Sequence, residues 1–265
     1  MKKLCLMMAM ALLLVSCGGN GGRHVRLMTY NVGAFGKELD DSAPMIAEMI
    51  LELGAGTVAL NELDSCNRRH NSNQVEHLAA CLNEAAGVKT VWNGRFGRAM
   101  AYAGGAYGNG IVTREKILDH FNIALPKEEG SEPRVCVVIE TPYYVYAACH
   151  LDHVGKNARQ VQAQVLTEEL QRRYADRNKP VFLAGDFNDT PDSPVIRQLT
   201  RDWMLLSPLA DSYSAKDPHV CIDYIFALHN QARICVKGGA VCTGFKTGDV
   251  LAASDHLPVY VDVVF

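Results

Sequence analysis

Several features that would define a protein class are missing from this 265-residue chain. Apart from a short glycine-rich segment near its start it has no low-complexity stretch, which excludes a largely disordered protein. Its net charge is -3 with the histidines neutral, so it lacks the global positive field that drives non-specific binding to nucleic acids. A basic patch confined to one cleft stays compatible with this net charge.

The cysteines form no recognisable metal or redox pattern. Two of the nine, Cys5 and Cys17, lie in the N-terminal leader, which leaves an odd number, seven, in the rest of the chain. These have neither a CxxC pair nor the Cys/His spacing of a zinc site, so we expect most of them to be small buried hydrophobes and assign no disulfide. A Gly-x-Ser-x-Gly motif is also missing, which excludes a serine hydrolase of the nucleophile-elbow type.

The chain shows no internal repeat and no linker between domains. With 48% hydrophobic and 21% charged residues its composition is that of a globular protein, and its length is enough for a single large core. We therefore expect one folded domain over residues 24–265.

Residues 1–16 are predicted to be an export signal. Two lysines precede an apolar run over residues 4–15 that is too short to cross a membrane as a helix but fits the core of a signal peptide. Ser16, Cys17 and a glycine-rich segment follow, which resembles a bacterial lipoprotein in which Cys17 is lipidated and residues 17–23 form the tether. Cleavage that simply frees the protein is the alternative. The lipoprotein interpretation predicts an extracytoplasmic protein anchored to a membrane, in the periplasm or at the cell surface.

Short β-like runs alternate with helical patterns through the rest of the chain. Val25, Leu27 and Thr29 share one face of a predicted strand over residues 24–31, and residues 134–140 and 143–149 predict a hairpin.

Three helices are predicted from apolar residues at helical spacing. The first has Ser42 as its N-cap and stops at Gly54, the second closes at Gly87, and the third covers residues 157–174. The residues of the third helix expected to face inward are Val161, Val165, Leu166 and Leu170.

Many polar side chains lie at or beside the ends of the predicted strands, where α/β folds build their sites. Hydrolysis of a phosphoester needs a cation for the phosphoryl oxygens, a group that activates water, and donors for the developing charge. Glu62, Asp255 and the side-chain oxygen of Asn31 are the kind of ligands that Mg²⁺ prefers, with Mn²⁺ as an alternative. Asp186 and Asn188 follow a buried strand and can hold a water molecule from two directions.

Two histidines complete the predicted chemistry. His150 and His256 can donate to phosphate oxygens when protonated, and Asp223 can fix the tautomer or stabilise the cation of one of them. If both act protonated, activity should fall as the pH rises above their pKa values. Each polar residue taken alone also has a plain structural interpretation, such as a turn cap or a solvated carboxylate. It is their number at strand ends that favours a site.

Seven stretches, in order along the chain, resemble the endonuclease/exonuclease/phosphatase superfamily. They are Thr29-Tyr30-Asn31-Val32, Leu60-Asn61-Glu62-Leu63-Asp64, Gly108-Asn109-Gly110-Ile111-Val112, Cys149-His150-Leu151-Asp152-His153, Gly185-Asp186-Phe187-Asn188, Ile222-Asp223-Tyr224-Ile225 and Ser254-Asp255-His256-Leu257-Pro258. The resemblance implies a four-layer α/β sandwich in which two mixed β-sheets pack face to face and are flanked by helices.

The resemblance also implies a role for each matching residue. Glu62 would bind the metal with help from Asn31 and Asp255. Asp186 would activate the attacking water, Asn188 would position it, and Asp223 would orient His256. His150 and His256 would contact the phosphate, and Asn109 would lie nearby as a substrate-binding residue.

The sequence departs from the usual pattern at two positions, with Asn61 where Gln is usual and Cys149 where Thr or Ser is common. Neither change removes a catalytic group. Arg68-Arg69 and Glu132-Pro133-Arg134 resemble segments of bacterial members. For Arg69, Arg134, Asp152, His153 and Arg159, a place at the site and a structural salt bridge are both open, and Gln74 has no assigned role.

The predicted function is an exported, metal-dependent phosphodiesterase or phosphatase. A nuclease is a second candidate, with Arg95, Arg98, Tyr102 and Tyr107 as a nucleic-acid loop, but the glycines and alanines between them make nucleic acid a less favoured partner. A catalytically silent binding protein is a third, against which the intact set of polar residues counts. No protein partner is evident, and the substrate is a phosphoester of unassigned type.

Overall fold

The structure is a computed structural model that describes residues 22–89 and 91–265. The predicted signal peptide, the lipidation site Cys17 and most of the tether therefore lie outside the described residues. Within the described part of the chain, no helix is both long and apolar enough to cross a membrane.

These residues form twelve strands and five α-helices. In chain order they are β1 His24–Asn31, α1 Ala43–Leu53, β2 Thr57–Ser65, α2 Gln74–Ala85, β3 Asn93–Tyr102, β4 Gly105–Thr113, β5 Asp119–Leu125, β6 Arg134–Glu140, β7 Val145–His150, α3 Lys156–Tyr174, β8 Val181–Asp186, α4 Pro194–Leu199, β9 Trp203–Leu205, β10 Asp223–Leu228, β11 Cys235–Val241, α5 Val250–Ala253 and β12 Val259–Val264.

The strands make two six-stranded mixed sheets. The first has the order β11-β12-β1-β2-β4-β3 and the second β5-β6-β7-β8-β10-β9. Each sheet contains one parallel pair, β1 with β2 and β7 with β8, among antiparallel neighbours. The carboxyl ends of these parallel strands carry Asn31, His150 and Asp186, and Asn31 hydrogen-bonds Asp186 from the facing sheet. The site therefore lies where the two parallel pairs end.

Three apolar clusters hold the layers together. Leu27, Ile111, Tyr146 and Phe182 belong to the cluster between the two sheets. A second cluster packs α1 and α2 on the outer face of the first sheet, and a third packs α3 and α4 on the outer face of the second. The predicted four-layer sandwich is confirmed. Because both faces of the central strands are covered, these strands are buried almost continuously rather than on alternate residues.

The predicted helices are confirmed with two local differences. Ser42 does precede α1, but its side chain does not cap the helix, because its hydroxyl donates to the carbonyl of Ala253 at 2.9 Å. The N–H of Ala43 donates to Asp41 Oδ1 instead. Val161 was expected to face inward on α3, yet its side chain is exposed, whereas Leu166 and Leu170 are buried as predicted. Of the cysteines, Cys136, Cys149 and Cys221 are buried, but Cys66 is exposed, so the prediction of buried thiols holds for only some of them.

Candidate active site

β8 ends at Asp186, whose backbone N–H and side chain are both held by hydrogen bonds. Its N–H donates to Asn61 Oδ1 at 3.0 Å, and its own Oδ1 accepts the N–H of Asn188 at 2.8 Å, which closes a tight turn after the strand. The preceding Gly185 has φ of +147°, and a Cβ at this position would lie 1.8 Å from the carbonyl oxygen of Cys149 on β7. A glycine is therefore required for the two strands to approach this closely.

The second carboxylate oxygen of Asp186 faces the cleft. Oδ2 accepts from Asn31 Nδ2 at 3.2 Å and lies 3.5 Å from His150 Nε2 and 3.6 Å from His256 Nε2. Burial, and then the charge of Asp223, raise the pKa of Asp186 to about 7 against the lowering effect of His256. Asp186 thus has one oxygen held by the turn and one that faces nitrogen atoms from both sheets, with a pKa suited to a general base.

Asp223, the first residue of β10, holds His256 in place. Its Oδ2 lies 2.9 Å from His256 Nδ1 and also accepts from the hydroxyl of Ser212 at 2.7 Å. The ring of Tyr213 lies against the imidazole with centroids 4.8 Å apart. Burial alone would lower the pKa of His256, but the charge and hydrogen bond of Asp223, with Asp186, raise it to about 9. Asp223 therefore favours the protonated form of His256, whose Nε2 lies 3.3 Å from Asn31 Nδ2 and 3.6 Å from Asp186 Oδ2.

His150 differs from His256 because its neighbour is a cation. Arg134, the first residue of β6, donates from Nη1 to His150 Nδ1 at 3.3 Å and from Nη2 to His153 Nδ1 at 3.0 Å. Burial, and then the charge of Arg134, hold the pKa of His150 well below its usual value. A guanidinium only donates, so Nδ1 must accept and the single ring proton sits on Nε2. The expectation that His150 acts protonated is wrong, because this ring is neutral.

Glu62 enters the cleft through an irregularity in β2. The pairing of β2 with β4 passes from Leu60 opposite Gly110 to Leu63 opposite Gly108, which leaves one extra residue on β2, and Glu62 has φ of +59°. Such a bulge re-aims a side chain out of the regular alternation. Strand β2 continues to Ser65, so Glu62 lies within the strand.

A cation already bridges the two predicted metal-binding carboxylates. Lys37 Nζ lies 3.7 Å from Glu62 Oε2 and 3.1 Å from Asp255 Oδ2, and Glu62 Oε1 accepts from Asn31 Nδ2 at 3.0 Å. The pair thus presents half-exposed hard oxygen atoms spaced to hold a positive charge, and these residues fit a divalent metal such as Mg²⁺. Asn31 points its Nδ2 into the cleft while its Oδ1 accepts the N–H of Gly33, so ligation through Oδ1 requires the amide to be turned.

A second group of potential ligands is better used for proton transfer. Ligand atoms of Asp186, Asp223 and His256 all lie within 4.8 Å of one another and are buried. However, the bond between Asp223 and His256 occupies one atom of each, and it raises the pKa of the imidazole. A protonated imidazole cannot bind a metal, so the pair of Glu62 and Asp255 is the better metal site.

Asn109 lies beneath the cleft rather than in its wall. It sits inside β4, its Nδ2 donates to the carbonyl of Val135 at 2.7 Å, and its Oδ1 accepts from Asn61 Nδ2 at 3.2 Å. Asn61 Nδ2 also donates to the carbonyl of Cys149 at 2.8 Å. The two amides form a buried support that joins the sheets below Asp186.

The residues with an open assignment divide into two groups. Arg134 and His153 line the cleft, whereas Arg159 pairs with Asp189 at 2.9 Å and serves the loop after β8. Gln74 joins the N–H of Asp64 to the carbonyl of Ala34 and is structural.

Sequence reasoning did not single out Lys37, Ser212, Tyr213 or Ser254. Ser254 Oγ donates to the carbonyl of Asn31 at 2.6 Å, and its place in the Ser254-Asp255-His256 stretch was the only signal for any of the four.

The cleft over these residues has a volume of about 400 Å³. Its lining residues include Lys37, Glu62, Tyr107, Glu132, Arg134, His150, His153, Asp186, Asn188, Tyr213, Asp255 and His256. All the predicted catalytic and metal-binding residues therefore line one cavity, except Asn31 and Asp223, which hydrogen-bond residues of its wall.

Comparison with known proteins agrees with this fold. A crystal structure of an endonuclease/exonuclease/phosphatase family protein from Bacteroides thetaiotaomicron has 18% identity and a TM-score of 0.70, covering 92% of this chain and 99% of that one. A mannosyl-6-phosphatase from Bacteroides thetaiotaomicron VPI-5482 has 19% identity and a TM-score of 0.69, covering 91% and 100%. The human Nocturnin catalytic domain with bound sulfate anion has 16% identity and a TM-score of 0.66, covering 91% and 95%.

A comparison with curated proteins found no match. The family model of the Endonuclease/Exonuclease/phosphatase family, in contrast, matches residues 28–256, which is most of the chain and includes every predicted catalytic and metal-binding residue. The protein therefore belongs to the endonuclease/exonuclease/phosphatase family, a family of phosphoester hydrolases that generally depend on a divalent metal.

Proposed function

We propose that the protein is a divalent-metal-dependent phosphodiesterase or phosphatase in which Asp186 activates the attacking water. The observation that carries this proposal is the position of Asp186 Oδ2, which faces two imidazole Nε2 atoms and is separated from Glu62 by the amide of Asn31. A base on one side of a phosphoryl group and a cation site on the other are what an in-line displacement by water requires.

Each residue then has a defined task. Glu62 and Asp255 would hold the metal together with Asn31, and the metal would supply charge stabilisation to the phosphoryl oxygens. Asp186 takes a proton from water as the water oxygen bonds to phosphorus and the bond from phosphorus to the ester oxygen breaks, and the departing oxygen takes a proton from solvent. His150 donates from Nε2 as a neutral ring, and His256 donates from Nε2 as a cation. These two donors face charge that develops on the phosphoryl oxygens.

Asn188 and Asp223 position the groups named above. The backbone N–H of Asn188 holds Asp186 Oδ1, and its Nδ2 donates to the carbonyl of Leu151 at 3.0 Å, which leaves Oδ1 as the atom that accepts from the water. Asp223 stabilises the cationic form of His256. We assign both to positioning.

One further observation favours a phosphodiesterase or phosphatase over a nuclease. The similarity in fold to a mannosyl-6-phosphatase is consistent with a small phosphoester substrate. A nuclease activity remains the alternative that the substrate panel below distinguishes.

The experiment is hydrolysis of a substrate panel by purified protein with Mg²⁺ or Mn²⁺. We expect Asp186→Asn to lower kcat by roughly 10²- to 10⁴-fold, because the water loses its base while the side chain keeps its shape. Asp192→Asn, on the same loop and exposed, is the control that should keep full activity. If wild-type protein hydrolyses no nucleic acid, phospholipid or simple phosphate ester with either metal, the protein is a silent binding protein on this scaffold.

We also propose that the protein is exported and anchored to a membrane through a lipid on Cys17. The support is the leader pattern alone, with its lysines, short apolar run and cysteine before a glycine-rich segment.

A further inference from the structure

A second cavity of about 250 Å³ opens beside the catalytic cleft. Its lining residues are Gly33, Ala34, Gly36, Lys37, Glu62, Arg69, His70, Met100, Tyr102, Tyr107 and Glu132. Lys37, Glu62, Tyr107 and Glu132 also line the catalytic cleft. The two spaces therefore adjoin, and the side cavity begins at the metal-binding carboxylate Glu62.

The position of this cavity relative to the reaction is set by Asn31. The Nδ2 of Asn31 bonds Glu62 on one side and Asp186 on the other. In an in-line displacement the water and the departing oxygen lie on opposite sides of the phosphorus. If Asp186 activates the water, as in the proposed function on which this step rests, the departing oxygen lies toward Glu62. The side cavity is then the space available to the leaving alcohol.

The aromatic wall of the cavity is fixed in place. Arg69 makes a two-point contact with the fully buried carboxylate of Asp64, at 2.6 Å and 2.9 Å, and its guanidinium lies 4.9 Å from the ring centroid of Tyr102. The rings of Tyr102 and Tyr107 are 6.0 Å apart and tilted by 53°. Arg69 covers one face of Tyr102, and the tilt leaves no parallel slot between the tyrosines, so the wall is poorly shaped to sandwich a flat nucleobase.

The charges of the cavity favour a neutral, hydroxyl-bearing ligand. Asp64 neutralises Arg69, Lys37 lies 3.7 Å from Glu62, and Arg134 lies 3.4 Å from Glu132. The carboxylates that line the cavity therefore already have cationic partners, and they can accept hydrogen bonds from hydroxyl groups. His70 and Tyr107 supply polar groups on the other walls. The volume is below the roughly 300–1,000 Å³ of sites for drug-sized ligands, which suits a single ring.

We infer that this side cavity binds the leaving alcohol, and that this alcohol is a neutral polyhydroxylated ring whose apolar face packs on Tyr102. The substrate class is then the phosphate ester of a hexose or of a cyclitol, two sources of the same chemistry. Nucleotides and phosphates of open-chain alcohols do not match these walls.

Isothermal titration of the full chain, in an Asp186→Asn background with Mg²⁺ to prevent turnover, tests this inference. The probes are inorganic phosphate, glucose 6-phosphate, mannose 6-phosphate, inositol 1-phosphate and AMP. We expect at least one sugar or cyclitol phosphate to bind more tightly than both inorganic phosphate and AMP. The preference between the hexose and inositol probes identifies the source.

Tyr102→Ala should weaken binding of the preferred ring phosphate by roughly three- to tenfold and leave the affinity for inorganic phosphate unchanged. Tyr102→Phe, which keeps the ring, should restore binding. Tyr143→Ala is the matched control, because Tyr143 also packs under an arginine, Arg23, at 3.4 Å but lies just before β7, away from the site.

Binding of AMP as tight as that of the ring phosphates, or equal effects of Tyr102→Ala and Tyr143→Ala, would overturn the assignment of the cavity alone. Phosphate binding with no added affinity from any ring would do the same. If neither phosphate nor any ester binds and the wild-type protein hydrolyses no ester, both this inference and the proposed function fail.

Discussion

Three ionisable side chains of the site, Asp186, Asp223 and His256, control one another because water is excluded from them. Asp223 has two effects: its charge raises the pKa of His256 to about 9 and contributes to raising that of Asp186 to about 7. His150 is only 3.5 Å from Asp186 but has Arg134 on its other nitrogen, so it stays neutral. Two histidines beside the same carboxylate oxygen thus have their pKa values shifted in opposite directions.

A bell-shaped pH profile follows from these values. If ionised Asp186 and protonated His256 act as we propose, kcat/KM should rise with pH through about 7 and fall again above about 9. Titration of His150 should add no further inflection to the pH profile, because its Nε2–H is present in the neutral ring. Initial rates across pH 5 to 11, with the metal held saturating, measure both limbs.

The matched variant for this profile is Asp223→Asn, which keeps the shape of the side chain and removes the charge. The pKa of His256 should fall, because it loses its counter-ion, and that of Asp186 should fall, because it loses a like charge. Both limbs should therefore move to lower pH. An alkaline limb that stays in place would show that another group is responsible for it.

Asn61 is expected to couple stability to catalysis. It is fully buried, accepts the N–H of Asp186 and donates to the carbonyl of Cys149 and to Asn109. Asn61→Ala leaves these groups without partners and should lower the free energy of unfolding by roughly 1–3 kcal/mol, measured by urea denaturation.

The same variant should also lower kcat, since the Asp186 backbone loses its support. Asn93→Ala provides the comparison: Asn93 donates to two carbonyls, at Thr113 and Glu115, far from the cleft. It should cost stability without an effect on kcat. Equal kcat values for the two variants would contradict a positioning role for Asn61.

At the scale of secondary structure, the close parallel pair β7 and β8 and the bulge in β2 set the geometry of the site. The first brings His150 level with Asp186, which are register partners. The second turns Glu62 into the cleft. A loss of either would move a catalytic or metal-binding group without changing the group itself.

Alanine substitutions at two glycines distinguish the stability cost of an unfavourable backbone conformation from the cost of a steric clash. Gly54, after α1, has φ of +74° and nothing within 4 Å of an added Cβ, so Gly54→Ala should cost only about 1 kcal/mol. Gly185→Ala places its Cβ 1.8 Å from a backbone oxygen of β7, so β7 and β8 must separate. We expect more than about 4 kcal/mol of destabilisation or failure to fold, measured by soluble yield and urea midpoint. Similar midpoints for the two variants would contradict the close approach of these strands.

At the scale of the molecule, Arg23 and the site lie at opposite ends of β1. The strand enters at His24 and reaches the site at Asn31, which is roughly 23 Å at the usual rise per residue. Arg23 packs on Tyr143, which precedes β7, so the chain enters both sheets from the same end. An anchor at Cys17 would therefore direct the cleft away from the membrane that holds it.

This arrangement predicts that anchoring leaves catalysis unchanged. Metabolic labelling with palmitate should mark the wild-type protein and not Cys17→Ser. The two forms should hydrolyse a soluble substrate with kcat/KM values within about twofold. A tether of a few residues spans only about 20 Å, so it cannot reach the cleft at the far end of β1. Hydrolysis of phospholipid in the anchoring bilayer by the wild type, and not by Cys17→Ser, would contradict this orientation.

The sequence by itself determined the family, the helices α1, α2 and α3, several of the strands, and the identity of the polar groups. These depend on local patterns: apolar periodicity marks those elements, and Asp186, Glu62 and His256 each stand in a short stretch that is readable without the fold. It did not predict β3, which contains Arg95, Arg98 and Tyr102 where a loop was expected. Asn109 was equally readable, but its motif did not reveal that its amide lies below the cleft.

Only the tertiary structure decided protonation, the cation between the carboxylates and the shape of the side cavity. His150 is neutral because Arg134 arrives from a neighbouring strand, and Lys37 and Tyr102 reach Glu62 and Arg69 from separate loops and strands. Charge, burial and cavity shape depend on groups distant in sequence, and no local pattern contains them. For the same reason Val161, apolar and in phase, is exposed: the packing of α3 decided which face meets the sheet.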